Sequence, residues 1–388
     1  MRFFIFLYIW LTQLTTYSQN INIRIYSNVE IQSIYFTAKQ GKYDFISNNK
    51  LICSIEEGET VTITRKDNVI RIWNNQLHES ADTLLLVRGT QQTNFFTITS
   101  PTKSFQERAF DNDLYVSLKN KALVLINDVN FDKYIAGVVE AEGGSKAPTE
   151  YYKAQAVLCR TYAAKFYEKH LPEGFNLCDG VHCQAYKGRC KYNLDILDAA
   201  TSTSGLIIVD STSKIADATF YANSGGQTVN SEDLWTLSHY YLRSKPDPYS
   251  IGQHGYEWEK TIPLESWKTY LTNKGFQIND SLGYNYSQPN RTRYFNYNGN
   301  DSLLELKTIR TDFQLRSTFF NAEQQGESIV LKGKGYGHGV GLSQEGAMEM
   351  ARQNFTYDKI IKFYFTGVQL MNMTNVKFFE IDDNSIGD

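Results

Sequence analysis

The segment Tyr134–Phe166, YIAGVVEAEGGSKAPTEYYKAQAVLCRTYAAKF, carries the features on which the fold reading turns. Its second half begins the one strongly helical pattern of the chain, expected from about Pro148 to His170. Apolar residues at 154, 157, 158, 161/162 and 164 make one face, Pro148 suits a first turn, and Ser145 is a cap upstream of it. The residues ahead of it, SLKNKALVLINDVNFDKYIAGVV (117–139), read as a strand or two. Glu140 and Glu142 then fall at a strand-to-helix junction, among small apolar residues and beside Gly143-Gly144. A carboxyl desolvated in such a setting keeps its proton to a higher pH, which a general acid at neutral pH requires. The alternative is a pair of solvated acids at a helix start.

Working outward toward the N-terminus, residues 20 to about 105 are a series of short strands. NINIRIYS, IQSIYFTA, LICSIEE, TVTITRK, VIRIWNN, TLLLVRG and NFFTITS are rich in β-branched and aromatic residues with partial alternation, broken by turn residues. This all-β module holds no catalytic constellation, and its expected role is scaffolding or ligand contact. Ahead of it, MRFFIFLYIWLTQLTTYS has one positive charge, an apolar run from Phe3 to Leu11, and small residues at Thr16 and Ser18. It is expected to be a secretory signal peptide, too short to span a bilayer. Toward the C-terminus, residues 171–190 are Gly- and Cys-rich and loop-like, and 195–235 return to helix then strand. Residues 262–330 form a mixed insertion with a helix near PLESWKTYLTNKG and a strand at SLLELKTIRTD. KGKGYGHGVGLSQEGAMEMARQN is a glycine-rich loop followed by a helix. The expected class is α+β: a mixed domain with one long helix (106–375), preceded by a signal peptide (1–18) and a smaller all-β module (19–105), and followed by a tail (376–388).

Bulk properties narrow the function. The chain has 388 residues with 39 basic against 42 acidic side chains, a net charge of −3. That balance argues against nucleic acid as a partner. No second long apolar segment follows the first, so the processed protein is expected to be non-membrane-spanning and exported, in the periplasm or cell envelope. Neither a G-x-S-x-G elbow nor an H-E-x-x-H pair is present, which weakens serine-hydrolase and zincin readings.

Several residues carry chemistry. Lys153 and Arg160, seven apart, share a helix face, and a guanidinium in VLCRTY needs a carboxylate, either a ligand's or the protein's own. LCDGVHCQAYKGRC supplies Cys178, His182, Cys183 and Cys190, a set that fits zinc and also fits a disulfide. His338 lies between glycines in GYGHGVG, where backbone can approach a ligand closely. Ser224-Gly225-Gly226 is either a plain turn or a nest of N–H groups facing an anion or sugar.

Taken in order, YIAGVVEAE, KAQAVLCRTYA, CDGVHCQAYKG, FYANSGGQT, GYGHGVGLSQEGA and YDKIIKFYFTGVQL resemble blocks of the sporulation stage II protein D (SpoIID) family, with its amidase-enhancer relatives of the LytB group, from about Arg108 to Met371. The resemblance implies a peptidoglycan lytic transglycosylase, acting on glycan strands stripped of stem peptides and leaving 1,6-anhydro-N-acetylmuramic ends. It implies Glu142 as the single catalytic acid, with Glu140 as the alternative two residues earlier. Lys153, Arg160, the Ser224-Gly225-Gly226 turn and His338 would bind substrate, and Cys178, His182 and Cys183 would hold a zinc. It equally allows a non-catalytic peptidoglycan-binding enhancer of a cell-wall amidase. Two departures stand out: Gly143-Gly144 replaces the family's Met-Pro after the acid, and Glu345 replaces the Trp of S-Q-W-G-A.

Overall fold

A computed structural model describes residues 19–235, 237–279, 281, 283–296 and 303–375; the expected signal peptide and C-terminal tail lie outside the described residues. The chain divides into two compact units, one holding Val29–Phe131 with the strand that ends at Ile25, the other Tyr26–Asn28 and everything from Asp132 onward. The mixture of helices and strands is α+β, with a strand-rich N-terminal region, as the sequence predicts. The first unit runs past the expected boundary at 105, because strands Arg108–Asp111, Asp113–Lys119 and Ala122–Asn130 pair with its sheets.

In the first unit, one antiparallel sheet has the order Asn20–Ile25, Ala122–Asn130, Asp113–Lys119, Leu84–Gly89, Tyr43–Ser47, Lys50–Ile55. The other has the order Arg108–Asp111, Phe95–Thr99, Ser33–Gln40, Thr60–Lys66, Val69–Trp73, His78–Ala81. Period-two alternation puts Ile34, Phe36, Ile63, Ile70 and Ile72 of the second sheet in the core, each fully buried. Phe36 stacks on Phe96 at 4.8 Å and meets Phe45 of the other sheet edge-on at 5.7 Å, so the two inner faces close one aromatic-rich core.

The second unit carries eight α-helices among its described residues: α1 (Phe131–Gly143), α2 (Thr149–Lys165), α3 (Asp195–Ser202), α4 (Ser231–Leu234), α5 (Leu264–Asn273), α6 (Leu306–Asp312), α7 (Gln344–Arg352) and α8 (Tyr357–Tyr364). Helix α1 corrects the sequence reading, which takes Tyr134–Val139 as strand. Tyr134, Ile135, Val138 and Val139 recur at helical spacing and are all fully buried. Helix α2 is buried on most of its circumference, from Tyr151 to Ala164, with polar Gln155, Arg160 and Thr161 among the buried residues. It stops at Lys165 rather than His170, and Pro148 rather than Ser145 occupies its cap position. The insertion packs Ile262, Trp267, Leu271, Phe295, Ile309 and Leu331 into a small core of its own. Within it, SLLELKTIRTD is a two-residue strand leading into α6, not a strand throughout, with Leu306 and Ile309 as the buried side of that helix.

Candidate active site

Glu140 and Glu142 lie in the last turn of α1, where unpaired helix carbonyls make the local potential negative. Helix α1 ends because Gly144 adopts φ +70°, a left-handed conformation that glycine enters at little cost. At Gly143 a β-carbon would lie 2.6 Å from the Tyr151 hydroxyl, so the absent side chain is what lets α2 close against the end of α1. The Gly143-Gly144 pair therefore has a local structural reason, and a Met-Pro pair would need a different exit from the helix.

The two acids have different company. The Glu140 carboxylate accepts from the backbone N–H groups of Lys191, Tyr192 and Asn193 at 2.8–3.1 Å and from the Cys190 thiol at 3.3 Å. Its job is to hold that loop. Glu142 accepts one backbone hydrogen bond, from Ala185 N at 3.2 Å. Burial raises its pKa above the ordinary carboxylate value, opposed by the Ala185 N–H and the nearby Lys187 charge. Beside it, Gln344 at the start of α7 donates to the Glu142 carbonyl at 3.2 Å and to the Tyr151 hydroxyl at 3.3 Å. Sequence reasoning missed Gln344 and Tyr151; the S-Q dipeptide at 343–344 was the signal for the first.

The loop that reaches Glu142 approaches α1 closely. Tyr134 packs on Tyr186 at 5.1 Å and its hydroxyl bonds Gln184, while a β-carbon on Gly137 would stand 2.3 Å from the Gly188 carbonyl. Upstream, His170, Cys178, His182 and Cys183 bring four ligand atoms within 4.8 Å of one another. Cys183 Sγ lies 3.5 Å from His170 Nε2 and 3.9 Å from His182 Nδ1, and Cys178 Sγ lies 4.0 Å from His182 Nδ1. These separations are close to the edges of a tetrahedron with zinc-length bonds, and a two-thiolate, two-imidazole donor set is a zinc set. Glu173 accepts from His170 Nδ1 at 2.7 Å, which would fix the tautomer that offers Nε2 to an ion. None of the five cysteines forms a disulfide, and the Cys190 thiol donates to Glu140 and to the Asn193 carbonyl.

Three expected substrate contacts are placed differently. Arg160 is fully buried: it pairs with Asp132 of α1 at 2.9 Å and donates to the Ala200 and Leu206 carbonyls at 2.8 and 3.3 Å. Its charge is spent inside the protein, joining α1, α2, α3 and the strand Leu206–Val209, so it is not a substrate contact in this structure. The Ser224-Gly225-Gly226 turn is not an open nest either. Gly225 N donates to Asn223 Oδ1 and Gly226 N to Ser224 Oγ, and Ser224 is fully buried. Lys153 is partly exposed but ion-paired with Glu150 at 2.7 Å.

His338 does come together with that turn, through the parallel pairing of Phe220-Tyr221 with Leu342-Ser343 and the bridge between Asn223 and Tyr336. Its Nε2 donates to the Phe220 carbonyl at 3.0 Å and its Nδ1 accepts from Val340 N at 3.2 Å, which defines a neutral ring. Burial pushes its pKa down to about 4, with Arg310 and Arg291 adding in the same direction against the Phe220 carbonyl. Only the ring face, flanked by Tyr221 and Trp235 at 5.1 and 5.7 Å, is left to meet a ligand. Glu345, at the position of the family's Trp, accepts from Asn223 Nδ2 at 2.6 Å and from Gly255 N at 2.8 Å, bracing the same turn.

A profile of the stage II sporulation protein family (SpoIID) matches residues 119–209, which contain α1, α2 and the cysteine loop. An uncharacterized protein of Brachyspira hyodysenteriae is 30% identical over 68% of this chain and 73% of its own length. The chain belongs to the SpoIID/LytB family. Stage II sporulation protein D of Bacillus subtilis is 28% identical over 63% of this chain and 75% of its own length. The B. subtilis amidase enhancer is 25% identical over 61% of this chain and 40% of its own length. No helix among the described residues is long and apolar enough to cross a membrane.

Proposed function

We propose that this protein is an exported lytic transglycosylase that cleaves the bond between N-acetylmuramic acid and N-acetylglucosamine in glycan strands lacking stem peptides. Family membership supports a cell-wall-related role, and the setting of Glu142 supports the specific chemistry. Its carboxyl is desolvated, at the negative end of α1, and accepts only one backbone hydrogen bond. The neighbouring acid, Glu140, is committed to the 190–193 loop. One acid then acts twice. Protonated Glu142 gives its proton to the glycosidic oxygen as the bond to the muramic C1 breaks. The resulting carboxylate takes the proton of the C6 hydroxyl, whose oxygen bonds C1 and closes the 1,6-anhydro ring. No water is consumed, and no second carboxylate is needed as nucleophile, unlike the paired-acid hydrolases. Tyr151 and Gln344 fix the end of α1 that carries this acid.

His170, Cys178, His182 and Cys183 would hold a zinc ion. Four protein ligands make a closed structural site, and the ion would cross-link the loop whose continuation delivers Ala185 to Glu142. Incubating the wild-type chain and Glu142→Gln with denuded and with intact peptidoglycan, followed by mass spectrometry, tests the reading. Anhydro-muramic products from denuded strands are expected with the wild type, and a loss of at least about 10²-fold with Glu142→Gln. A second reading, supported by the amidase-enhancer relative, is binding without cleavage in the service of a cell-wall amidase. It is favoured if both proteins retain strands, release nothing, and stimulate an amidase equally.

A further inference from the structure

The outer face of the second sheet of the N-terminal unit is out of step with its pattern. Its inward residues Ile34, Phe36, Ile63, Ile70 and Ile72 form core, so its outward residues should be polar. Most are: Thr60, Thr64 and Thr99 reach solvent on it, while Thr62 and Thr97 lie nearly buried between their neighbours. Two large rings interrupt them, Tyr35 at 41% exposure and Trp73 at 43%. The strand register sets both in one row across the sheet, Thr99↔Tyr35↔Thr62↔Trp73↔His78. Tyr35 and Trp73 are thus separated by one threonine and two inter-strand steps, about 9.6 Å. The adjoining row is Ser33↔Thr64↔Arg71↔Ser80, and Lys66 lies opposite Val69 in the next. Around Trp73 the face is hollowed into a depression of about 550 Å³, where Lys66 and Arg71 stand against a single acid, Glu79.

We infer that this face is a glycan-binding platform for an extended β-1,4-linked strand bearing free carboxylates. A pyranose presents an apolar C–H face to an aromatic ring and a ring of hydroxyls to threonine, serine and histidine. The separation of Tyr35 and Trp73 is close to one disaccharide repeat of an extended β-1,4 strand, so both rings meet sugars facing the same way. Lys66 and Arg71 flank that line, which complements the lactyl carboxylate that each muramic residue exposes once its stem peptide is gone. A protein partner would favour a contiguous apolar patch, whereas here each ring is isolated among hydroxyls. The N-terminal unit thereby gains a role the active site does not supply: holding a long strand while the second unit works on it. The inference rests on the glycan reading of the proposed function for the chemistry of its ligand, and its test does not depend on cleavage.

The test uses the full chain carrying Glu142→Gln, so that strands are not consumed. Retention is measured on denuded glycan and on a chitin-type polymer of β-1,4-linked N-acetylglucosamine, which has the rings but no carboxylates. Tyr35→Ala and Trp73→Ala should each weaken retention on both polymers about tenfold, and Trp73→Phe should recover most of it. Lys66→Gln with Arg71→Gln should weaken retention on denuded glycan alone, with the difference shrinking as salt rises. All four side chains are at the surface, and thermal unfolding checks that each variant remains folded. Unchanged retention in folded ring variants overturns the inference, as does failure of the parent chain to bind either polymer. Absence of anhydro products from the wild-type chain would instead overturn the cleavage reading and leave the retention result standing.

Discussion

Arg160 offers the sharpest discrimination between a ligand contact and a structural charge. Arg160→Met keeps most of the side chain's length and removes every donor. It leaves the carbonyls of Ala200 and Leu206 without the guanidinium and the Asp132 carboxylate without its cation. A buried acceptor left without a donor costs about 1–3 kcal/mol, and the Ala200 carbonyl keeps the Thr203 hydroxyl at 3.2 Å, so its loss falls at the low end. Asp132 loses less, because its side chain is 21% exposed and Ser204 Oγ still donates to it at 2.5 Å. Methionine returns some apolar burial, so the net cost is about 3–5 kcal/mol, the range for breaking a buried ion pair from one side. For a cooperative unit of this size that is a fall in Tm of about 10 °C. Asp132→Asn is nearly isosteric, and leaves a fully buried guanidinium with no carboxylate in contact. It should cost about 3 kcal/mol, and the double variant less than the sum. The assay is thermal unfolding by circular dichroism, joined to the cleavage ratio of denuded over intact strands measured well below the lowered Tm. The expected result is a large loss of stability with that ratio unchanged. A Tm within about 2 °C of wild type, together with a collapsed preference for denuded strands, would mean that Arg160 faces the ligand and would refute the placement.

Other consequences follow from the same geometry. Glu142 has a folded-state pKa raised by burial, so its contribution to stability is fully present below the ordinary carboxylate value and is lost as pH rises through that value toward the raised one. Glu142→Gln should therefore melt above the wild type at pH 7, and pH-dependent melting curves should converge near pH 4; a variant less stable at pH 7 would count against a desolvated acid. Zinc analysis should find about one ion per chain, and chelator or Cys183→Ser should lower Tm and slow any glycan cleavage. A metal-free protein with the stability of the untreated one would remove the ion from the account. Gly137→Ala gains about 1 kcal/mol of helix propensity yet drives its methyl to 2.3 Å from the Gly188 carbonyl, so the net effect should be a loss of about 1–3 kcal/mol in denaturant unfolding. Gly144→Ala meets no atom within 4 Å and should cost only about 1 kcal/mol, from its φ of +70°.

Where the chain signals its structure and where it hides it can be traced to particular residues. Helix α2 was legible because its apolar positions recur at helical spacing, and the strands from Asn20 to Thr99 because they alternate or carry β-branched runs. Helix α1 was not. Ile135, Val138 and Val139 favour strands intrinsically, Gly137 lowers helix propensity, and a true strand ends one residue before the helix starts. Gly137 is there for the loop that packs on it, a tertiary cause invisible along the sequence. The need of Arg160 for a carboxylate was legible, but the choice of Asp132, 28 positions away, was not. Three of the four side chains in the candidate metal cluster were named through the family resemblance, while the C-x3-H-C spacing alone left zinc and disulfide both open. His170 was absorbed into the expected end of α2, although Glu173 three residues later, placed to orient a ligating imidazole, was the available signal. The N–H groups of the Ser-Gly-Gly turn could not be judged free or used without Asn223 and Ser224 in place.

The two acids at the end of α1 show why a buried-looking segment carries charge at all. A carboxylate that accepts three backbone N–H groups is a fastener, and Glu140 is built that way. Such an acid is committed to the loop it holds. An acid meant to cycle needs the opposite: burial and few donors, on a backbone that does not move when its charge changes. Glu142 has the single Ala185 contact and a burial-raised pKa, while Gly143, Tyr151 and Gln344 hold the helix end beneath it. The fastener and the proposed cycling acid are two residues apart on one helix, and both reach the same loop. Glu140 thus fixes the loop segment 191–193 so that the segment at 185 can touch Glu142 lightly. The cysteine and histidine cluster, ending two residues before Ala185, would secure the other end of that loop. The proposed site is then a loop held at both ends with the candidate acid between them.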